Sequence, residues 1–296
     1  MSSIERVTVI GAGTMGAGIA ELCATRGIFV NLFDLSADVA NTARKAALGR
    51  CDKRVEKGSL ERTERDAIAG RFTCTTNLSE AVANTQVVIE AVPEDMALKV
   101  KVLSAVLADA PATAMLASNT SSLSITELGS RLTVPERVVG LHFFNPPPVI
   151  PLIEIVRGLC THADVVAAAT AFVSQLGKEH ILVNDSPGFA TSRLGVILGA
   201  EAMRMLETGV ASVADIDRAL ELGYRHPMGP LKLTDLVGLD VRLAILDHLT
   251  REVGEQFRAP VLLRQMVRAG KLGKKTGTGF YVWTEQGPVP NPELSR

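Results

Sequence analysis

The chain has 296 residues, of which 47% are hydrophobic and 21% are charged, a composition typical of a globular protein with room for two domains. Its formal net charge of -1 at pH 7 excludes the strong basic field of a nucleic-acid-binding protein. No apolar run approaches the roughly 20 residues of a membrane span, and the first residues lack the apolar core of a signal peptide. We therefore expect no nucleic-acid or membrane partner, and a cytoplasmic or organelle-matrix location.

The four cysteines, Cys23, Cys51, Cys74 and Cys160, are far apart and include no Cys-x-x-Cys pair. Zinc sites and disulfide frameworks usually show close and regular cysteine spacing. The sequence therefore predicts reduced thiols and no metal site.

Short β-branched segments alternate with helical segments up to about residue 155. This alternation is typical of a doubly wound α/β fold built on a parallel sheet. Strands are predicted at residues 7–10, 29–33, 87–91, 115–118, 138–143 and, after a triproline turn, 149–156.

Beyond residue 185 the pattern becomes helical. Ser186 and Pro187 favour the start of one helix, which Gly209 would end, and Ser212 favours the start of another, which Gly223 would end. The sequence therefore predicts a Rossmann-type α/β domain over residues 1–185 and an all-helical domain over residues 186–296.

The first predicted strand leads directly into a glycine-rich motif, Gly-Ala-Gly-Thr-Met-Gly, at residues 11–16. Here Gly11 permits a tight turn, Gly13 lets the backbone approach a diphosphate, and Gly16 lets strand and helix pack closely. Amide groups at the helix N-terminus, with Thr14 and Met15 among its first residues, would face the phosphate charge. The motif predicts a dinucleotide site.

The residue that ends the second predicted strand indicates which dinucleotide binds. Asp34 follows Gly16 by 18 residues, where a carboxylate can accept hydrogen bonds from both ribose hydroxyls and would repel a 2′-phosphate. NAD is therefore favoured over NADP. Two weaker alternatives are a plain strand–turn–helix that binds no ligand and a site for FAD.

Five histidines are candidates for the base that oxidation of an alcohol requires. His142 has the best position, at the C-terminal end of a late predicted strand. Twelve residues on, Glu154 lies among apolar residues, and buried charges are rarely unpaired. If the triproline turn folds the chain back, Glu154 can orient the His142 imidazole and stabilise its protonated form. The alternative is that Glu154 points outward from an edge strand.

A polar cluster, Ser-Asn-Thr-Ser-Ser, follows an apolar strand at residues 118–122. Such a cluster is either a helix cap or a set of hydroxyl donors that faces the cofactor. From the cluster alone, capping is the more common role.

Several motifs occur in a fixed order: Ala-Ser-Asn-Thr-Ser-Ser-Leu from residue 117, Leu-His-Phe-Phe-Asn-Pro from 141, Asp-Ser-Pro-Gly-Phe from 185, His-Pro-Met-Gly-Pro from 226, Asp-Leu-Val-Gly-Leu-Asp from 235 and Gly-Lys-Lys-Thr-Gly-Thr-Gly-Phe-Tyr from 273. Together they resemble the L-3-hydroxyacyl-CoA dehydrogenases, including bacterial 3-hydroxybutyryl-CoA dehydrogenases. The resemblance covers essentially the whole chain. It implies a homodimer that oxidises an (S)-3-hydroxyacyl-CoA, of short chain such as 3-hydroxybutyryl-CoA, reversibly to the 3-ketoacyl-CoA with NAD.

The resemblance also implies roles for single residues. His142 would be the base, Glu154 would pair with it, and Ser121 would hold the substrate oxygen. The implied cofactor contacts are Asp34, Glu94, Lys99 and, beside the nicotinamide, Asn119.

One position departs from the family pattern. Ser192 stands before Arg193, where the family usually has an asparagine that contacts the substrate near the reacting carbon. A serine is shorter and has one rotatable hydroxyl, so we expect Ser192 to act through water. The change should affect the choice of acyl group rather than the type of reaction.

A helical hairpin is expected at about residues 36–70, where the family contacts the adenine–phosphate end of CoA. Arg50, Arg54 and Lys57 have i, i+4, i+7 spacing and would share one helix face. This face either binds the CoA phosphates or is a solvated charged surface.

Two other functions stay open. Gulonate and carnitine dehydrogenases share the glycine-rich and His-Phe-Phe-Asn-Pro motifs, so a free hydroxy acid is an alternative substrate. A non-catalytic NAD-binding protein is a third possibility, but such a protein would have no need of Ser121, His142 and Glu154 together.

Overall fold

The structure is a computed structural model that describes residues 3–294. It divides into two compact units between Ser186 and Pro187, one residue after the boundary expected from the sequence. None of the described helices is both long enough and apolar enough to cross a membrane.

An eight-stranded sheet forms the centre of the amino-terminal unit. Its strands are β1 (Arg6–Ile10), β2 (Phe29–Phe33), β3 (Phe72–Thr75), β4 (Val87–Glu90), β5 (Met115–Ser118), β6 (Val138–Phe143), β7 (Leu152–Arg157) and β8 (Glu179–Asn184). They are arranged in the order β3-β2-β1-β4-β5-β6-β7-β8, and neighbouring strands are parallel except β6 and β7. The sheet is therefore the doubly wound, mainly parallel type that the sequence predicts.

The central strands are apolar because helices cover both faces of a parallel sheet. Every residue of β4, β5 and β6 is buried. The strand order reverses between β1 and β4, so the loops that follow these two strands diverge and leave a crevice at their carboxyl ends. The glycine-rich motif begins at this crevice.

The helices of this unit connect the strands. They are α1 (Thr14–Thr25), α2 (Ala37–Glu56), α3 (Arg62–Arg71), α4 (Leu78–Val82), α5 (Met96–Val106), α6 (Ile125–Ser130) and α7 (Ala163–Gln175), with a 3-10 turn at Pro135–Arg137. The hydroxyl of Ser36 accepts a hydrogen bond from the amide of Val39 and so caps the start of α2. Helices α2 and α3 pack against each other and span the expected hairpin.

The carboxyl-terminal unit is helical, as predicted. Its helices are α8 (Thr191–Glu207), α9 (Val213–Arg218), α10 (Pro230–Val237), α11 (Leu239–Glu252) and α12 (Val261–Arg268), with short 3-10 or π turns at Ala219–Gly223, Glu255–Phe257, Lys274–Thr276 and Pro292–Leu294. Buried apolar side chains of α8, α10, α11 and α12 form its core, together with Phe280. The unit is not all helical, however, because β9 (Tyr281–Thr284) and β10 (Gly287–Pro290) form an antiparallel hairpin.

Several predicted boundaries are wrong in detail. Four strands were not predicted: β3 and β8 of the large sheet, and β9 and β10 of the carboxyl-terminal hairpin. Strand β7 begins at Leu152 instead of residue 149 because residues 146–149 form a turn. Helix α8 begins at Thr191 and not near Ser186, since a turn around Gly188, whose φ is +74°, comes first. Ser212 does cap α9, where its hydroxyl accepts from the amide of Asp215.

Candidate active site

The glycine-rich loop joins β1 to α1, and two of its glycines, Gly11 and Gly16, have a steric reason within the chain. Gly11 has φ +97°, and an added Cβ would lie 2.8 Å from the carbonyl oxygen of Ala91. A Cβ on Gly16 would lie 1.8 Å from the oxygen of Gly11, whereas a Cβ on Gly13 would meet nothing within 4 Å. The open space at Gly13, together with the amides at the start of α1, is suited to a diphosphate group.

Asp34 lies directly after β2 and is held towards this loop. Its Oδ2 accepts a hydrogen bond from the amide of Ala12 at 2.8 Å, and its Oδ1 accepts one from the amide of Ser36 at 3.0 Å. A carboxylate has about four lone-pair sites, so capacity remains for ribose hydroxyls.

A cavity of about 590 Å³ opens beside these residues. It is lined by residues of the loops after β1, β2 and β4, among them Gly13, Asp34 and Pro93. The loop, the carboxylate and the cavity fit the adenosine and diphosphate portions of NAD, at the place where open α/β sheets bind their ligands.

A buried ion pair lies below the loop that follows β4. The ammonium of Lys99 contacts Oε1 of Glu90 at 2.8 Å and Oε2 at 3.0 Å, and the two side chains are 1% and 0% exposed. The hydroxyl of Ser118 donates to the same Glu90 carboxylate at 2.6 Å. Lys99 also lies 3.3 Å from Oε2 of Glu94. The structure therefore places Lys99 in a buried network of carboxylates, and its expected contact with the cofactor stays a prediction.

Glu94 connects this network to the polar cluster after β5. Its Oε1 accepts hydrogen bonds from the hydroxyl of Thr120 at 2.6 Å and from the amide and hydroxyl of Ser121 at 3.0 and 3.4 Å. Burial opposes ionisation, but these donors and Lys99 hold the pKa of Glu94 below its usual value. The carboxylate thus fixes the loop that carries Ser121, an exposed residue.

Asn119 links the ends of two neighbouring strands. It follows β5 directly, and its side-chain oxygen accepts a hydrogen bond from the amide of Phe143, the last residue of β6, at 2.9 Å. The loop of Ser121 and the end of β6 that carries His142 are therefore held side by side at the carboxyl edge of the sheet.

His142 and Glu154 are directly opposite each other in the antiparallel pair of β6 and β7. The chain turns back through the Pro146–Pro148 segment, so the two side chains meet with 2.6 Å between Nδ1 and Oε2. His142 is 7% exposed and Glu154 is fully buried. A buried carboxylate at this distance orients the imidazole. The outward-pointing alternative for Glu154 is wrong.

Two of the three basic residues considered for CoA line one cavity. Arg50 and Arg54 line a cavity of about 690 Å³ together with Arg26 and residues of the triproline turn. Lys57 is not part of that lining. It follows the last residue of α2, and the helix stops there because the next residue, Gly58, has φ +68°. Arg50 also donates from Nε to the buried carboxylate of Glu21 at 2.9 Å, so part of its charge is already balanced.

Ser192 lies in the first turn of α8, half-buried. Sequence reasoning missed Glu90. A signal for it existed, because an acid ends the otherwise apolar segment Val-Val-Ile-Glu of β4 and buried acids need a partner. Thr120 belongs to the polar cluster noted at residues 118–122, but its bond to Glu94 was not foreseen because the two residues are 26 positions apart.

The second strand of this Rossmann unit ends at a carboxylate, and the carboxyl edge of its sheet holds a buried histidine–glutamate pair. Together these features define the class of NAD-dependent dehydrogenases. The family models named 3-hydroxyacyl-CoA dehydrogenase, NAD binding domain, and 3-hydroxyacyl-CoA dehydrogenase, C-terminal domain, match residues 6–186 and 188–283. The chain therefore belongs to the 3-hydroxyacyl-CoA dehydrogenase family and is an NAD-dependent oxidoreductase that acts on 3-hydroxyacyl-CoA.

Related proteins align with nearly the whole chain. A 3-hydroxybutyryl-CoA dehydrogenase of Mycobacterium tuberculosis is 43% identical over 286 residues, which are 95% of this chain and 99% of the relative. A 3-hydroxyadipyl-CoA dehydrogenase of Escherichia coli is 41% identical over 96% of this chain and 60% of its own length. The crystal structure of (S)-3-hydroxybutyryl-CoA dehydrogenase from Ralstonia eutropha superposes with a TM-score of 0.92 at 39% identity, covering 96% of this chain and all of that one.

Proposed function

We propose that this chain oxidises short-chain (S)-3-hydroxyacyl-CoA thioesters with His142 as the general base and Glu154 as its positioning partner. The observation that carries the proposal is the 2.6 Å contact between Nδ1 of His142 and Oε2 of Glu154. Because Glu154 engages Nδ1, the other ring nitrogen, Nε2, is the one that takes the proton of the 3-hydroxyl group. The carboxylate stabilises the imidazolium that results.

The remaining polar residues hold the substrate. The hydroxyl of Ser121, on a loop fixed by Glu94, donates to the 3-oxygen and keeps it near His142. Bound NAD supplies the hydride acceptor for C3. In the reverse direction His142 returns its proton to the 3-oxygen as the ketone is reduced.

The acyl-CoA portion contacts two further groups in this proposal. Arg50 and Arg54, which line the 690 Å³ cavity, would bind the CoA phosphates, and Lys57 would contribute only through its charge. Ser192 would contact the acyl group through water. A short acyl chain is supported by the names of the M. tuberculosis and R. eutropha relatives.

We also propose a homodimer formed by the carboxyl-terminal unit. This unit has large apolar side chains at its surface on α8, α10 and α11, where Leu194 is 68% exposed and Leu236, Val237 and Val241 are each 40% or 41% exposed. A second copy would cover such a face. Sedimentation equilibrium with Leu194→Glu as the variant tests this proposal, since a charge in the interface should produce monomers. A cytoplasmic location stays a prediction.

The test of the proposed reaction is the oxidation of NADH in the presence of acetoacetyl-CoA. Free acetoacetate serves as the control for the thioester, and NADPH as the control for the cofactor. We expect rapid turnover with the thioester and NADH alone. Turnover of acetoacetate but not of its thioester would instead favour a free hydroxy acid as the substrate.

The pairing of His142 with Glu154 has a separate test. Because Glu154 acts through His142, the effects of Glu154→Gln and His142→Gln on kcat should be strongly non-additive. Additive losses in the double variant would contradict the positioning role.

A further inference from the structure

Arg242, in the first turn of α11, carries a buried charge without a partner. The side chain is 5% exposed, and among residues 3–294 its guanidinium makes no hydrogen bond or ion pair. A charge in this condition is costly unless it is paired, because a buried guanidinium loses its hydration. Burial lowers the pKa of Arg242 to about 10, so the group is still charged at neutral pH.

Two acids of the same helix are already engaged: Asp240 contacts Lys275 at 2.6 Å, and Asp247 contacts Arg264 at 2.5 Å. The third, Glu252, is exposed and lies ten residues further on, about 15 Å from Arg242 along the helix axis. An apolar side chain at position 242 would fill the same space without the desolvation cost. The fold therefore gives no reason for an arginine here, and an anion from outside the described chain is the physical explanation that remains.

The guanidinium lies beside α8 at Gly195. A Cβ added to Gly195 would come 3.3 Å from Nη1 and 4.0 Å from Nη2 of Arg242, and would meet no other atom within 4 Å. The guanidinium therefore packs directly against Gly195, where a longer side chain would crowd it. Of the three guanidinium nitrogens only Nε is fully enclosed, so the two Nη groups reach a surface that a ligand can contact.

Ser192 is three residues before Gly195 and therefore lies on the same face of α8, about 4.5 Å along its axis. Within the described part of the chain, the Ser192 hydroxyl also has no hydrogen-bond partner. The hydroxyl and the guanidinium are therefore arranged about one helical turn apart on this face of α8, and Gly195 has no side chain to cover the guanidinium.

We propose that Arg242 binds a carboxylate at the far end of the acyl chain, so that the enzyme prefers short dicarboxylic 3-hydroxyacyl-CoA thioesters over uncharged ones. The inference rests on the proposed function, because it takes Ser192 to lie along the acyl group. A guanidinium binds a carboxylate through two parallel hydrogen bonds, which the two Nη groups of Arg242 are able to donate.

The experiment compares 3-oxoadipyl-CoA with 3-oxohexanoyl-CoA, which have the same chain length and differ in whether the tail ends in a carboxylate or a methyl group. kcat and KM are measured for both with NADH. In the wild-type protein the ratio of kcat/KM should favour 3-oxoadipyl-CoA. Arg242→Met should lower this ratio by about 30-fold or more, mainly through KM, since truncating one partner of a buried charge pair costs at least about 2 kcal/mol.

Two variants serve as controls. Arg242→Lys keeps the charge but not the bidentate geometry, so it should retain part of the preference. Arg251→Met removes an exposed arginine of the same helix and should leave the ratio unchanged. Inhibition of the wild-type protein by adipyl-CoA and hexanoyl-CoA provides a measurement that needs no variant, and adipyl-CoA should bind more tightly.

The outcomes separate the two proposals. Reduction of 3-oxohexanoyl-CoA with no preference for either tail would overturn the role of Arg242 and leave the proposed function intact. Reduction of acetoacetyl-CoA but of neither six-carbon thioester would also overturn the role of Arg242 alone, whereas reduction of none of the three would overturn both proposals. If Arg242→Met lowered both activities equally and dissociated an oligomer, the arginine would pair with a second copy of the chain and the substrate role would be wrong.

Discussion

Lys99→Met is the substitution whose effect follows most directly from the structure. It removes the ammonium that lies between two carboxylates, 2.8 Å from Glu90 and 3.3 Å from Glu94. Glu90 is completely buried, so it would remain as a charge without a counterion. Removing one partner of a buried ion pair costs about 3–5 kcal/mol.

This loss of folding free energy corresponds to a fall in melting temperature. A loss of 1 kcal/mol lowers Tm by about 2–4 °C in a domain of 150–250 residues. The variant should therefore melt about 6–20 °C below the wild type. Differential scanning calorimetry, with Lys101→Met as the control, measures this shift, because Lys101 is an exposed lysine of the same helix.

A second substitution tests the cause of the deficit. Without Lys99, the buried carboxylate of Glu90 lacks its counterion. Glu90→Gln combined with Lys99→Met should therefore restore part of the stability.

One result would refute this reasoning. If Lys99→Met melted like Lys101→Met while its affinity for NADH fell sharply, then Lys99 would act mainly as a cofactor contact. The buried network would then not describe its role.

Three further predictions concern single positions. Ser192→Asn should keep the dehydrogenase activity but change the preference among acyl chain lengths; a folded but inactive variant would contradict the simple replacement. Asp34→Ser should reduce kcat/KM for NADH and raise it for NADPH, since the acid repels a 2′-phosphate; unchanged cofactor preference would contradict the role of Asp34. Burial raises the pKa of the Cys23 thiol to about 12, whereas Cys160 is exposed. A thiol reagent at pH 8 should therefore modify Cys160 rapidly and Cys23 only after unfolding. Rapid modification of Cys23 in the folded protein would be inconsistent with its burial.

Features carried by local sequence were predictable. The glycine-rich loop, the carboxylate after β2 and the apolar central strands each lie within a short segment whose pattern has one physical explanation. The contact of His142 with Glu154 was also predictable, because a turn between two strands separated by a few residues brings directly opposite positions together.

Features that depend on distant residues were not predictable. Strand β8 lies at the edge of the sheet, with its residues exposed or only half-buried, so it lacks the apolar pattern that identifies a strand. The partner of Arg50 is Glu21, 29 residues away, and the burial of Lys99 follows from carboxylates on two other segments. The missing partner of Arg242 likewise becomes visible only once α8 and α11 are packed together.

The central claim, that His142 is the general base, is tested most directly by the turnover of His142→Gln with acetoacetyl-CoA and NADH. The account predicts a folded variant that binds NADH like the wild type and loses about 10²–10⁴-fold in kcat, which is the usual contribution of a general base. A kcat within threefold of the wild-type value would contradict it.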